Sequence, residues 1–178
     1  MPPPDPRPLL GEPLALDLLN TEWTQDGQPV DFLATPTGVP TWLGTNGLVA
    51  PSGRRDHVGD HLVATRAAIR SLLEGEPGGR RRVNEVLAHA RLRVTVGEHG
   101  PERTVEVDDE TWRPAALAAH DLADLLAERS DRIRRCAHPD CVLWFLDTSR
   151  NGTRRWCSMA TCGNRLKARR HYTRTRGR

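Results

Sequence analysis

Apolar residues recur at helical spacing through Val58, Leu62, Ile69, Leu72 and Leu73, and the glycines between Gly75 and Gly79 end that run, so a helix is expected there. A shorter helix over 82–90 sets Val83, Val86, Leu87 and Ala90 on one face. A third, over 112–129, carries a buried stripe of Ala115, Ala118, Ala119, Leu122, Leu125 and Leu126. Residues 91–96 and 103–107 alternate around Gly97-Glu98-His99-Gly100-Pro101, which reads as a β-hairpin. Residues 14–22 are apolar at 14, 16, 18 and 19, a pattern open between a strand and a short buried helix. Six prolines in residues 1–13 forbid a helix and leave an extended or disordered arm.

Past residue 130 the pattern changes. Val142-Leu143-Trp144-Phe145-Leu146-Asp147 is rich in strand formers, and Thr148-Ser149-Arg150-Asn151-Gly152 is a turn cluster. Asn-Gly is a strong hairpin signal, so 153–156 is expected to return as the second strand. Residues 131–135 read as a link, and 165–170 as a helix with only Leu166 and Ala168 apolar. The fold class is thus α+β. A Pro-rich arm (1–13) precedes a mainly helical domain with a small β-hairpin (14–130). A small module of β-hairpin and C-terminal helix follows (131–178).

All four cysteines of the 178-residue chain lie in that last module, at Cys136, Cys141, Cys157 and Cys162, spaced C-x4-C-x15-C-x4-C. Two matched pairs separated by a hairpin suit one structural zinc ion (Zn2+), whose tetrahedral shell four thiolates close. Two disulfides or a thiol switch are the alternatives. His138 and His171 stand as bystanders to a complete cysteine set.

Charge divides the chain at the same place. Residues 1–129 carry 13 Arg against 20 acidic residues, whereas 130–178 carry 12 Arg and Lys167 against Asp131, Asp140 and Asp147. A basic module of this kind seeks an acidic partner, nucleic acid above all. The candidate contacts are Arg150, Arg154 and Arg155 on the hairpin, with Arg165, Lys167, Arg169, Arg170 and Arg174 beyond it. The alternative is a zinc-stabilised protein-docking module, held off by the acidic half. Sequence-specific DNA binding by one finger would call for a homodimer. No run approaches the length of a membrane span. The start of the chain has neither a charged nor an apolar leader region, so a cytoplasmic location is expected.

The segment Cys157-Ser158-Met159-Ala160-Thr161-Cys162-Gly163-Asn164-Arg165 closely resembles the CGNR zinc finger, as do Phe145 to Asn151 and Arg154-Arg155-Trp156 before it. Leu14-Ala15-Leu16-Asp17-Leu18-Leu19-Asn20-Thr21, Asp31-Phe32-Leu33 and Thr41-Trp42-Leu43 resemble its usual N-terminal companion, the ABATE domain of bacterial stress-induced transcription regulators. The resemblance implies zinc on the four cysteines, a nucleic-acid-binding finger, probed best with DNA, and a small-molecule effector sensed by the N-terminal domain.

Asp17, Asn20 and Thr21, with Trp23 and Trp42 as walls, are the candidate ligand residues. Their other reading is local: Asn20 and Thr21 as caps, and Asp17 paired with an arginine. His57 and His61, four apart with Asp60 between, have a zinc-compatible spacing. A flanking Gly59 and the lack of a third ligand favour solvated histidines and an Asp56 cap. Phosphate loops, nucleophile elbows and dinucleotide fingerprints are missing, so a non-enzymatic role is expected.

Overall fold

The computed structural model describes residues 5–51 and 54–164. The basic helix expected over 165–170 lies outside the described residues, as do Arg165, Lys167, Arg169, Arg170 and Arg174. The architecture is α+β. Among the described residues there are five α-helices and three two-stranded antiparallel sheets, and no helix is long and apolar enough to cross a membrane.

The centre of the structure is its shortest helix, α1 (Leu14–Leu19), where the open pattern at 14–22 resolves. Six residues cannot hold a helix in water. Five of them are buried, and the helix packs against α3 (Arg55–Leu73), α5 (Arg113–Arg129) and β6 (Trp144–Leu146). The chain then forms a hairpin that the apolar pattern does not announce, β1 (Glu22–Gln25) and β2 (Gln28–Asp31). Its turn residues Asp26 and Gly27 both have positive φ, 51° and 79°. Such a turn matches strand twist and favours Asp-Gly. Helix α2 (Gly38–Thr45) follows, with Trp42 and Leu43 facing the core. Gly38 is obligatory, because a Cβ there would stand 1.8 Å from the Phe32 carbonyl oxygen.

Helices α3 and α5 fall where the periodicity places them, whereas α4 (Gly79–Leu87) starts three residues before the expected 82–90 and ends short of Ala90, which opens a strand. The hairpin β3 (Ala90–Gly97) and β4 (Gly100–Val107) also forms, in the register Leu92↔Val105 and Val94↔Arg103. It projects from the body: Leu92, Val94 and Val96 are exposed. The arm is not free over its described part. Arg7 is buried against Asp17 at 2.5 Å and Asp5 at 2.7 Å, pinning residues 5–13 to α1.

The hairpin expected between 142–147 and 153–156 is replaced by another. Strand β6 pairs with β5 (Ile133–Arg135), the segment read as a link, in the register Ile133↔Leu146 and Arg135↔Trp144. The return segment is held by side chains instead. Asp147 accepts from the Ser149 and Arg154 amides, while the Arg154 guanidinium donates to the Trp156 and Cys157 carbonyls.

One apolar core runs through both halves, joining Leu16, Leu19, Leu62 and Leu122 to Trp144, Phe145, Leu146 and Cys157. Its polar seam is Asn20, wholly buried at the end of α1. The Asn20 amide donates to the Trp144 carbonyl and its oxygen accepts from the Trp144 N–H, both at 2.9 Å. The Glu12 carboxylate takes the Leu146 N–H at 2.8 Å. A second buried charge, Arg66, grips Asp31 through both carboxylate oxygens at 2.7 Å and donates to Thr21 Oγ1 at 2.9 Å.

Asn20→Ala strands both a buried donor and a buried acceptor of β6. A loss of about 3 kcal/mol is expected in urea unfolding, and a loss below about 1 kcal/mol would mean the seam holds little. Hydrogen bonds from Arg66 keep the Asp31 carboxyl below its ordinary range. The resulting stabilisation is complete above the ordinary carboxylate value and is lost as pH falls through the lowered one. Asp31→Asn should therefore flatten the acid side of the stability–pH curve and lower stability at neutral pH.

Candidate metal centre and the surfaces around it

Cys136 follows β5 directly, and its N–H donates to the Leu143 carbonyl at 2.9 Å. A tight turn then brings Cys141 back, with its N–H on the His138 carbonyl at 3.0 Å. Cys157 ends the segment braced by Arg154, whose guanidinium lies 4.3 Å above the Phe145 ring. Cys162 sits in a final turn, Met159–Gly163, capped by Ser158.

These four placements converge. The sulfurs all lie within 4.8 Å of one another, with Cys141 to Cys157 at 3.8 Å and Cys157 to Cys162 at 3.6 Å. A tetrahedron with sulfur about 2.3 Å from zinc has edges of about 3.8 Å. The sulfurs stand at coordination spacing, far beyond a disulfide bond, and all four are free thiols.

Electrostatics agree with this. Hydrogen bonds from Cys141 and Cys157 pull the Cys136 thiol strongly down. The same crowding, through the hydrogen bond to Cys136, pushes Cys141 up to about 12 and Cys157 further up. Metal ligation needs thiolates, so a divalent cation at this centre would bind with release of thiol protons. The site fits one structural zinc ion, with every coordination position taken by sulfur.

The surrounding arginines divide. Arg154 is half-buried and its guanidinium donates to carbonyls of its own module, so part of its donor set is already used within the fold. Arg155 is exposed, its guanidinium 5.3 Å from the centre of the Trp156 ring. Arg150 is exposed on the turn. Arg134 and Arg135, which a linker reading passed over, stand exposed on β5. Together with Arg154 and Arg155 they line a groove of about 380 Å³.

The candidate ligand residues are mostly core. Asp17 pairs with Arg7 and accepts from Asn46 at 3.1 Å. Asn20 holds Trp144, and Thr21 donates to Leu18 and accepts from Arg66. Trp42 is wholly buried. The expected pocket around those four is therefore filled by their own partners. Trp23 alone lines open space, a cavity of about 340 Å³ that it shares with Asp26, His138, Asp140 and three of the cysteines. The His57–His61 pair is not drawn together on a metal. His61 bonds Thr111 at 3.2 Å and stacks on Trp112, as does His89.

Residues 132–175 match the family model of the CGNR zinc finger. Residues 12–129 match that of ABATE, described as "Putative stress-induced transcription regulator". A comparison with curated proteins gives no match.

Cys157→Ser should lower bound zinc from one ion per chain to near zero, read by atomic absorption. Because the core is shared, chelation should shift the whole thermal transition down, by roughly 10 °C at modest zinc excess. A transition unmoved by chelation would contradict a structural ion.

Proposed function

This chain belongs to the ABATE family and carries a CGNR zinc finger at its C-terminal side, and we propose that it is a regulator whose finger binds nucleic acid, DNA in the first instance, while its N-terminal part senses a small molecule. The observation that supports the nucleic-acid reading is the groove on β5. Arg134, Arg135, Arg154 and Arg155 reach it from two segments, the other lining residues are Ala137, Gly152 and Thr153, and no acid lines it. Arginine forks suit phosphate oxygens and guanine edges. Trp156, beneath Arg155, offers a ring that an unpaired base could stack on. Arg150 extends the positive surface toward the turn. The basic residues past Asn164 would add to it.

The role is binding rather than catalysis, which the closed sulfur shell supports: it leaves zinc no open position for substrate or water. The zinc ion holds the module's shape; contact falls to the arginines. One finger offers few base contacts, so selectivity for a DNA site would require two copies.

Fluorescence anisotropy of the zinc-loaded chain on duplex DNA and single-stranded RNA across a salt series tests this. Three to five neutralised phosphates give a log–log salt slope of about −2.7 to −4.5 on duplex DNA. Arg134→Glu with Arg135→Glu and Arg155→Glu should weaken binding more than about tenfold with zinc content unchanged. Arg154→Gln should instead cost stability, because it frees two carbonyls. Full affinity in the triple variant would move the contact off the groove. No binding even at low salt would favour a protein partner.

A further inference from the structure

The cavity beside the zinc cysteines lies where three parts of the chain meet: the pinned arm, the β1–β2 turn and the finger. Its volume, about 340 Å³, is at the lower end of the range for small-molecule sites. Trp23 forms one wall, its indole oriented by an Nε1 bond to Gln25 at 3.3 Å. His138 forms another and is more than nine-tenths buried.

The Asp140 N–H donates to His138 Nδ1 at 3.3 Å. That bond makes Nδ1 the acceptor and leaves the proton on Nε2. Nε2 has no hydrogen-bond partner among the described residues. The cavity thus offers a flat ring face and a ring N–H without a partner among the described residues. At its rim stand two exposed carboxylates, Asp26 and Asp140.

We infer that this cavity is the binding site for a small flat heterocycle carrying both a ring or carbonyl acceptor and an exocyclic amine. The acceptor takes the His138 Nε2 proton, the ring lies along Trp23, and the amine faces Asp140. A ligand bearing a carboxylate is excluded by the same two acids.

The site is also placed to be felt at the basic groove. His138 lines the cavity and its neighbour Ala137 lines the groove, where the Ala137 N–H donates to the Arg155 carbonyl at 2.9 Å. Occupation that moves His138 therefore acts through one peptide unit on the segment carrying Arg155. This deepens the small-molecule half of the proposed function and rests on it.

Calorimetric titration of the zinc-loaded full chain with cytosine and with adenine tests the site directly, with benzoate as the flat, acidic control. Saturable one-site binding of at least one base and none of benzoate is expected. Asp140→Asn and His138→Gln should each weaken it about tenfold, with one zinc still bound per chain. If His138→Gln loses zinc, the exposed Asp140→Asn carries the test alone. No saturable binding of either base overturns the proposal, and so does binding that Asp140→Asn leaves unchanged. DNA anisotropy with and without the bound base reads sensing separately: the site stands on the titration even if DNA affinity does not move.

Discussion

A single buried amide decides how this molecule is put together. Asn20 ends α1 wholly buried, and among the described residues its side chain bonds the donor and acceptor of Trp144 on β6. Neither side can leave without stranding polar atoms in an apolar core, a cost of about 1–3 kcal/mol for each. Glu12 adds a third bond two residues further along the same strand. The outer edge of β6 is thereby closed by side chains from the N-terminal part, while its other edge pairs with β5. A small zinc module that would otherwise rely on its metal alone is built into the larger core.

Two arginines make the rest of that core possible. Arg7 ties the proline-rich arm to Asp17, and Arg66 ties the β1–β2 hairpin to α3 through Asp31. Buried charges of this kind stabilise little in net terms, because desolvation opposes the attraction. Their effect is positional: each fixes one wall of the cavity beside the cysteines, the arm on one side and the hairpin turn on the other. Zinc fixes the remaining wall. The zinc site, the cavity and the arginine groove are three faces of one loop, Cys136 to Cys141, and consecutive residues Ala137 and His138 divide the two open faces between them.

Long elements with a 3.6-residue period were legible in the sequence: α3 and α5 stand where Val58 to Leu73 and Ala115 to Leu126 put them. So was the metal site, because cysteine spacing is a local property that survives any rearrangement of the strands between. The β1–β2 hairpin carried its Asp26-Gly27 turn signal, but its flanks, Glu22 to Gln25 and Gln28 to Asp31, are too polar to read as strands. Helix α2 has Gly38, Pro40 and Gly44 among eight residues, and is held by the packing of Trp42 and Leu43 rather than by propensity. The partner of β6 was not legible, since Ile133 to Arg135 and Thr153 to Trp156 are both short and nothing local chooses between them. Choosing wrongly hid Arg134 and Arg135 in a linker and left Arg154 looking like a free charge. The polar residues Asp17, Asn20 and Thr21 looked like a pocket because buried seams and binding sites use the same side chains.

Native-state hydrogen exchange on the zinc-loaded chain, read at the Trp144 amide against those of α1 and α5, tests the shared core most directly. If Asn20 joins the halves, Trp144 exchanges only through the opening that also releases Leu18 and Leu122, with the same free energy and the same denaturant dependence. A Trp144 amide that exchanges through a separate, lower-energy opening, while α1 and α5 stay protected, would show the finger to be an independent unit and contradict the account.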